Sequence, residues 1–308
     1  MAANATDTPT AQLIFRDELV NAGILARSAV DGLYHRSRTF ENIVRGVEAA
    51  ASAAGEGRAE PMLYFPPLMP RSVFELTDYL RSFPDLIGSV DTFVGSDRDH
   101  AALLQVADEG GDWTQALTPS EVVLCSAACH PLYPSLTGVM PTGGRTFELQ
   151  GYCFRHEPSV DPARMQSFRQ YEYVYVGEPD GATEHRDSWL DRGQDLLGSL
   201  KLPVDRVIAN DPFFGRVGRM LAANQKETAL KFEIVCPITS DQSPTAIASA
   251  NCHLDHFGRP FSITTSDGEP AHSACIGFGL ERIALALLKT HGLNPDRWPS
   301  GVRSRLWP

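Results

Sequence analysis

Two nearby segments of the sequence carry side chains that suit nucleotide binding. Segment 151–157 contains Arg155 and Glu157, and segment 165–173 contains Phe168 and follows a polar loop with prolines. We expect a strand that ends in Arg-x-Glu, a turn and a returning strand. Because side chains alternate along a strand, Arg155 and Glu157 should share one face, and so should every second residue from Phe168. Arginine can clamp a phosphate and phenylalanine can stack on a purine; a surface hairpin with ion pairs is the alternative.

A third segment, from Cys275 to Ala284, combines two glycines with a glutamate and an arginine. Gly277 and Gly279 allow a close approach of the backbone just before a predicted helix. Arg282 lies in the first turn of that helix, where the helix dipole does not favour a cation. We interpret Arg282 as the partner of an anion such as a terminal phosphate. The alternative is a strand-to-helix turn with a surface arginine.

Helices and strands must position these segments, and the two kinds of element do not alternate regularly along the chain. Helical patterns are predicted at 11–53, with Thr39 as the N-cap of an amphipathic helix, and at 71–83, 183–200 and 280–291. Strand patterns are predicted at 61–65, 147–156, 167–176, 229–235, 246–254, 261–265 and 272–279. This order favours an α+β fold with an antiparallel β-sheet flanked by helices. We expect a flexible segment over 1–12 and one domain over 13–308.

The composition limits the partners of the protein. The chain has 308 residues and a formal net charge of −11, so its surface as a whole should not attract nucleic acid. It lacks a GxxxxGK[ST] loop, so ATP would have to bind by another device. Its six cysteines contain no CxxC pair. There is no signal peptide and no apolar stretch of about 18 residues, which predicts a cytoplasmic protein without membrane contact.

Together the segments resemble the motifs of class II aminoacyl-tRNA synthetases. Residues 154–157 with Phe168 resemble motif 2, and residues 277–282 resemble motif 3. The helix at 39–54 is similar to motif 1, the dimer motif, and the likeness covers about residues 40–290. The resemblance implies a single catalytic domain that forms a homodimer and activates an amino acid with ATP.

By this resemblance, ATP lies against a set of charged and aromatic side chains. Arg155 would bridge the α-phosphate and the amino-acid carboxylate, Phe168 would stack on the adenine, and Arg282 would hold the γ-phosphate of a bent ATP. The further candidates are Glu157 on the adenine side, Glu233 as a Mg²⁺ ligand, and Arg164, Lys231 and Ser249 as additional ATP contacts.

The amino-acid side of the site resembles that of zinc-dependent, archaeal-type seryl-tRNA synthetase and of its small relatives, the amino acid:[carrier protein] ligases. Segment 248–252, with Asn251 as a substrate contact, resembles the serine-site strand, although the acidic residue that usually opens this strand is absent. Cys129, Glu172 and Cys275 occupy positions that the resemblance makes zinc ligands and substrate contacts. Two thiolates and a carboxylate suit Zn²⁺ and leave a fourth position open for the substrate amino group.

Other interpretations of the cysteines remain open. Cys125 competes with Cys129 for the first ligand position, although the sequence around Cys129 better resembles the family loop. Cys252, His253 and His256 would form either a separate site or a satisfied structural cluster. Each cysteine could instead be a buried apolar thiol.

The resemblance implies that a small amino acid, in the order glycine, alanine, serine, becomes an aminoacyl-adenylate and is transferred to an acceptor. Motif 1 begins near residue 40, which leaves little chain for the tRNA-binding domain of a full seryl-tRNA synthetase, and the net charge is −11. We therefore expect the phosphopantetheine thiol of a carrier protein as acceptor, not tRNA. A truncated seryl-tRNA synthetase-like enzyme and a non-catalytic regulatory paralogue are the alternatives. An acidic carrier would need a basic patch, from Arg297, Arg303 and Arg305 or from Arg216 and Arg219.

Overall fold

The computed structural model describes residues 7–55, 57–209 and 229–308. The helices of these residues are α1 (Asp7–Asn21), α2 (Arg38–Gly55), α3 (Arg71–Leu76), α4 (Tyr79–Ser82), α5 (Asp97–Asp108), α6 (Pro179–Ser199), α7 (Leu280–His291) and α8 (Ser300–Leu306). The strands are β1 (Leu25–Arg27), β2 (Tyr34–Arg36), β3 (Glu60–Phe65), β4 (Leu68–Pro70), β5 (Ser89–Phe93), β6 (Leu117–Leu124), β7 (Gly138–Val139), β8 (Arg145–Phe154), β9 (Ser167–Gly177), β10 (Asp205–Ile208), β11 (Lys231–Cys236), β12 (Thr245–Leu254), β13 (Ile263–Thr264) and β14 (His272–Gly279).

A seven-stranded sheet forms the centre of the described structure, in the order β10-β11-β12-β14-β9-β8-β3. Neighbouring strands run antiparallel except β3 and β8, which pair in parallel. Helices α2, α6 and α7 cover one face, which we call the back face, and the opposite, front face carries the candidate site residues. The predicted α+β fold with an antiparallel sheet flanked by helices is therefore confirmed.

The back face forms the main hydrophobic core. Tyr173 of β9 stacks on Trp189 of α6 with ring centroids 3.9 Å apart. Gly193 lets α6 approach the sheet, because a Cβ there would lie 3.1 Å from Ile234. Helix α2 contributes apolar side chains at helical spacing, namely Phe40, Ile43, Val44 and Val47. Burial of each such aliphatic side chain contributes about 1.5–3 kcal/mol to stability, so this face fixes the sheet against the helices.

A smaller three-stranded sheet, in the order β4-β6-β5, holds the loop that enters the site from the front. It packs with α3 and α4 around a separate apolar cluster that includes Phe74 and Cys125. The backbone N–H of Phe154, at the end of β8, donates to the Cys125 carbonyl over 2.7 Å. The loop that follows β6 is thereby tied to the end of the hairpin predicted as motif 2.

The observed helix boundaries differ from the predictions where the backbone reverses. The helical pattern over 11–53 is two helices separated by the antiparallel pair β1–β2, and α2 begins at Arg38, so Thr39 is not its N-cap. The pattern over 71–83 is two short helices, because Asp78 adopts a left-handed φ of 58° that no α-helix continues. Helix α6 begins at Pro179 instead of residue 183, and proline suits the first helical position since it lacks an N–H.

Two strands also end earlier than predicted. Strand β8 stops at Phe154, before Arg155, and β13 comprises only Ile263–Thr264. At the N-terminus, α1 begins at Asp7, within the predicted flexible segment, and residues 1–6 of that segment lie outside the described residues. Among the helices described, none is long and apolar enough to span a membrane.

Candidate active site

The front face of the sheet brings the predicted site residues into two adjacent rows. One row pairs Glu233, Ser249, Gly277 and Glu172 across β11, β12, β14 and β9. The next row pairs Lys231, Asn251 and Cys275 across β11, β12 and β14. Neighbouring strands lie about 4.8 Å apart, so these side chains from four strands form one continuous surface.

Arg155 lies at the motif 2 end of this surface, next to Phe168. Its guanidinium carbon is 5.5 Å from the centroid of the Phe168 ring, and its Nε donates to the Ser126 carbonyl over 3.4 Å. Its backbone N–H donates to Gln166 over 2.9 Å, which closes the hairpin. The expectation that Arg155 and Glu157 share a face through strand alternation is wrong, because β8 has already ended. The hairpin bond and the Ser126 carbonyl place Arg155 instead.

Arg282 faces the same cleft from the start of α7. Its Nε donates to the Ala163 carbonyl over 2.9 Å and its Nη1 to the Ala246 carbonyl over 3.0 Å. Phe168, Gly279 and Arg282 line one narrow cleft. The motif 2 and motif 3 segments, more than 100 residues apart in sequence, therefore meet there.

The electrostatics of this cleft favour an anionic ligand. Burial lowers the pKa of Arg282 to about 10, and Arg155 and Arg164 act in the same direction, while Glu157 and Glu233 oppose them. Arg164 is exposed and lies 3.9 Å from Glu157. Several guanidinium groups near one another repel, so a ligand with several negative charges would be stabilised among them.

Glu233 and Lys231 lie on the front face of β11. Lys231 Nζ is 3.4 Å from Glu233 Oε1, and both side chains are largely buried. On the neighbouring strand, Asn251 Nδ2 donates to Ser249 Oγ over 3.1 Å. On this part of the front face, the Glu233 carboxylate thus lies beside polar side chains that form ion pairs or hydrogen bonds with their neighbours.

The part of the front face formed by β9 and β14 brings together Cys129, Glu172 and Cys275. Burial raises the pKa of Glu172 to about 7, opposed by the nearby Cys129 thiol and by Arg155. Burial also raises the pKa of Cys129 well above its ordinary value, and both Glu172 and Cys275 add to this effect. Glu172 Oε2 is buried without a hydrogen-bond partner. Among the residues that the structure describes, however, no three His, Cys, Asp or Glu side chains form a group arranged to hold a metal ion.

The alternative thiols are placed differently. Cys125 Sγ donates to the Ala127 carbonyl over 3.0 Å and packs in the cluster of the smaller sheet, whereas Cys129 and Cys275 share one cluster. Cys252 packs in a further cluster with Tyr175 and Ala274. Cys125 and Cys252 thus pack in other clusters than Cys129 and Cys275, although Cys125 is close enough to add to the raised pKa of Cys129.

The two histidines near Cys252 also go to different places. His256 Nε2 lies 3.3 Å from the Thr77 carbonyl. His253 lies 3.1 Å from Ser273 Oγ and 3.6 Å from Cys275 Sγ. The suggestion of a separate site formed by Cys252, His253 and His256 is therefore not supported by their placement.

Sequence reasoning missed two residues that complete this surface. Ser126 holds Arg155 through its backbone carbonyl. Tyr133 is fully buried, its hydroxyl has no partner in good hydrogen-bond geometry, and burial together with Cys129 and Cys275 raises its pKa well above the ordinary value. Nothing in the local sequence pattern distinguishes these residues from ordinary loop and core positions.

Solved structures with the same fold define the class of the domain. The chain matches the seryl-tRNA synthetase of Methanopyrus kandleri, crystallised with a tRNASec, with a TM-score of 0.78 and 21% identity over 95% of this chain and 60% of that one. It matches the ATP-bound seryl-tRNA synthetase of Pyrococcus horikoshii with a TM-score of 0.68 and 16% identity over 95% of this chain and 62% of that one. The fold is therefore that of a class II synthetase catalytic domain.

Sequence relatives define the family. The chain is 43% identical to amino acid–[acyl-carrier-protein] ligase 1 of Bradyrhizobium diazoefficiens over 90% of this chain and 85% of the relative. It is 41% identical to ligase 2 of the same organism over 99% of this chain and 90% of the relative. A type-2 serine–tRNA ligase of M. kandleri is 26% identical over 64% of this chain and 40% of its own length. No protein-family model matches the sequence. The chain belongs to the family of amino acid–[acyl-carrier-protein] ligases.

Proposed function

We propose that this protein is an AMP-forming ligase that activates a small amino acid with ATP and transfers it to the phosphopantetheine thiol of a carrier protein. The observation that carries the proposal is that Phe168 and Arg282 line one cleft, with Arg155 over the Phe168 ring and within electrostatic reach of Arg282. Phe168 also packs against the apolar cluster that contains Cys129 and Cys275. The identities of 41–43% to two carrier-protein ligases support the acceptor.

In the first step, a carboxylate oxygen of the amino acid attacks the α-phosphorus of ATP, and the bond to the leaving pyrophosphate breaks. Arg155 bridges the α-phosphate and the carboxylate, and Arg282 holds the γ-phosphate. Phe168 stacks on the adenine, with Glu157 on the same side and Arg164, Lys231 and Ser249 as further contacts. The protein supplies position and charge stabilisation rather than covalent chemistry. Glu233 is the candidate ligand of Mg²⁺, which would neutralise phosphate charge.

We assign zinc to Cys129, Glu172 and Cys275 within this proposal. Two thiols and a carboxylate are ligands that zinc accepts, and the unpartnered Glu172 Oε2 is free to bind a cation. Asn251 Nδ2 donates to Cys275 Sγ over 3.6 Å, and His253 Nε2 lies 3.6 Å from the same sulfur, and polar neighbours of this kind orient a ligating side chain. The three side chains would have to rotate toward a common point to surround the ion. Zinc would offer its open position to the amino group of the substrate.

A glycine in the front row leaves room for a small substrate. Gly277 lies between Ser249 and Glu172 in the front row, and it has no side chain to occupy the space beside the carboxylate. Asn251 is the candidate polar contact for the amino acid. Glycine, alanine and serine, in that order, are the proposed substrates.

The thiol of the carrier arm then attacks the carbonyl carbon of the adenylate, and AMP leaves. The net charge of −11 argues against tRNA as the acceptor. Of the two basic patches considered for carrier docking, Arg297, Arg303 and Arg305 are exposed, but α8 packs behind the sheet against α2. Arg216 and Arg219 lie outside the described residues.

A cytoplasmic homodimer, with residues 13–308 as one catalytic domain, completes the proposal. Strand β3 lies at one end of the seven-stranded sheet, next to the motif 1 helix α2. On this strand Leu63 and Tyr64 are 38% and 69% exposed, which suits an apolar contact with a second copy.

Two assays test the function in sequence. ATP–pyrophosphate exchange with each of the twenty amino acids identifies the activated substrate, and exchange with a small amino acid alone is expected. Labelled amino acid is then offered with a phosphopantetheinylated carrier, the same carrier without its arm, and tRNA. Label on the armed carrier alone supports the proposal. Label on tRNA only would favour the synthetase-like alternative, and no exchange at all would favour a regulatory paralogue.

A further inference from the structure

A closed ring of four charges lies between the sheet and α2, and one of its members, Glu281, also lines the cleft. Glu281 Oε1 accepts from Arg36 Nη1 over 2.8 Å and from Arg169 Nε over 2.7 Å. Arg169 turns its other two nitrogens to Glu41, over 2.8 and 3.0 Å, and Arg36 Nε contacts Glu41 over 2.9 Å. Each glutamate thus touches both arginines. The two guanidinium groups also lie over the Tyr152 ring, at 5.5 and 5.8 Å from its centroid.

This ring is largely shielded from water. Glu281 is 1% exposed and Arg169 is 8% exposed. Burial alone would lower the pKa of Arg169, but Glu281 and Glu41 raise it above its ordinary value. Removing charges from water is costly, so a buried ion ring contributes little net stability compared with apolar packing. Its geometry is nevertheless specific, because the forked guanidinium donates to carboxylates only in fixed directions.

The two central members of the ring are chain neighbours of candidate ATP contacts. Phe168 precedes Arg169 on β9, and because strand side chains alternate, Phe168 faces the cleft while Arg169 points behind the sheet. Arg282 follows Glu281 on α7, and consecutive side chains on a helix point about 100° apart. Glu281 Oε2 also accepts the backbone N–H of Arg169 over 2.7 Å. The first turn of α7 is thereby bonded directly to the backbone of β9.

We propose that Arg169 and Glu281 are positioning residues, anchored by Glu41 and Arg36, which fix the start of α7 against β9. They thereby set the separation of Phe168 and Arg282, the two sides between which ATP binds. The inference rests on the proposed function, because it assigns a role at the ATP site described above. Strand β14 leads into α7 without a loop, so a small tilt of this helix would move Arg282 relative to the adenine side.

Glu41→Gln and Arg169→Lys separate this role from a general contribution to folding. Glu41 is in the first turn of α2 and its side chain is 25% exposed, so Gln keeps the shape and removes one charge of the ring. The Arg169→Lys variant keeps the positive charge but cannot make the two parallel hydrogen bonds of the guanidinium group. For both variants we expect the Kd of a non-hydrolysable ATP analogue, and the KM for ATP in pyrophosphate exchange, to rise about tenfold, which corresponds to about 1.4 kcal/mol. The KM for the amino acid should change less than about twofold.

Asp191→Asn is the matched control. It removes an ion pair with Arg206, 2.6 Å apart, on the exposed side of α6, and both KM values should stay as in the wild type. A wild-type protein that binds no ATP would refute the proposed function itself. Wild-type ATP binding together with unchanged ATP values in a folded Glu41→Gln variant would overturn the positioning role. An equal rise in the ATP and amino-acid KM would also count against it. If Arg169→Lys does not fold, Glu41→Gln alone decides.

Discussion

A methyl group added at Gly277 is the sharpest test of the front-face assignment. Gly277 lies on β14 between Ser249 and Glu172. A Cβ built there lies 3.5 Å from Glu172 Cγ, 3.7 Å from its Cδ and 3.8 Å from its Oε1, which are ordinary van der Waals distances. Gly277 is not among the described residues with positive φ, so alanine fits its backbone. The fold should accept Gly277→Ala and gain about 0.4–1 kcal/mol, since alanine restricts the unfolded chain.

The catalytic effect should be much larger than the effect on stability. The new methyl would stand beside the Glu172 carboxylate, where the side chain of a bound amino acid needs room. One methylene changes discrimination in such a pocket by about 1–3 kcal/mol, or about 10- to 200-fold in kcat/KM. We therefore expect activation of alanine and serine to fall at least about tenfold relative to activation of glycine.

Pyrophosphate exchange with glycine, alanine and serine measures this ratio, and thermal unfolding measures stability. Gly198→Ala on α6 is the matched control, because a Cβ there meets nothing within 4 Å. It should share the small gain in stability and leave the substrate ratio unchanged. A stable Gly277→Ala variant with the wild-type ratio of alanine to glycine activity would refute the placement of the substrate beside Gly277.

Three further predictions follow from the site and the core. Arg155→Ala should slow adenylate formation by about 10²–10³-fold without unfolding the protein, and near-normal exchange in a folded variant would remove its phosphate role. Metal analysis should find about one zinc per chain, lost in Cys275→Ala, and a metal-free, fully active wild type would contradict the zinc assignment. Burial lowers the pKa of His185 to about 4, below the value near 6.5 of an unfolded histidine, so the unfolded chain binds more protons between these pH values. The contribution of neutral His185 to the free energy of unfolding is fully present above pH 6.5. The free energy of unfolding should fall by up to about 3 kcal/mol as the pH drops to about 4. His185→Gln should flatten that part of the unfolding free energy measured against pH, and an unchanged slope would contradict the assignment.

Elements with strong local signals could be predicted to the residue. Strand β14 and helix α7 have the predicted bounds, His272–Gly279 and Leu280–His291. An apolar run with helical spacing begins after two glycines and ends before Gly292, whose φ of 90° stops the helix. The break at Asp78 could not be found in this way, because its left-handed conformation depends on the packing of α3 and α4 against the smaller sheet.

The types of residue in the candidate site could also be predicted from the sequence. Arg155, Phe168 and Arg282 stand in short motifs whose chemistry suits ATP, and their roles as ATP contacts stay predictions. The expected reason for the position of Arg155 was nevertheless wrong, because β8 ends at Phe154, two residues earlier than predicted, and a carbonyl from another loop holds the side chain. Side chains alternate between the two faces only within a strand, so this rule does not place a residue beyond the end of the strand.

The sequence by itself determined which chemistry the chain can perform, because residue types and local spacing specify donors, acceptors, charges and turns. Only the tertiary structure decided which of these groups meet. Strand register placed Gly277 between Glu172 and Ser249, and packing placed Cys125 and Cys129 in different apolar clusters. The ring that joins Arg36 to Glu281 spans 245 positions of the chain. Such contacts arise from long-range pairing and burial, whose energies depend on the whole fold and leave no periodic mark in the local sequence.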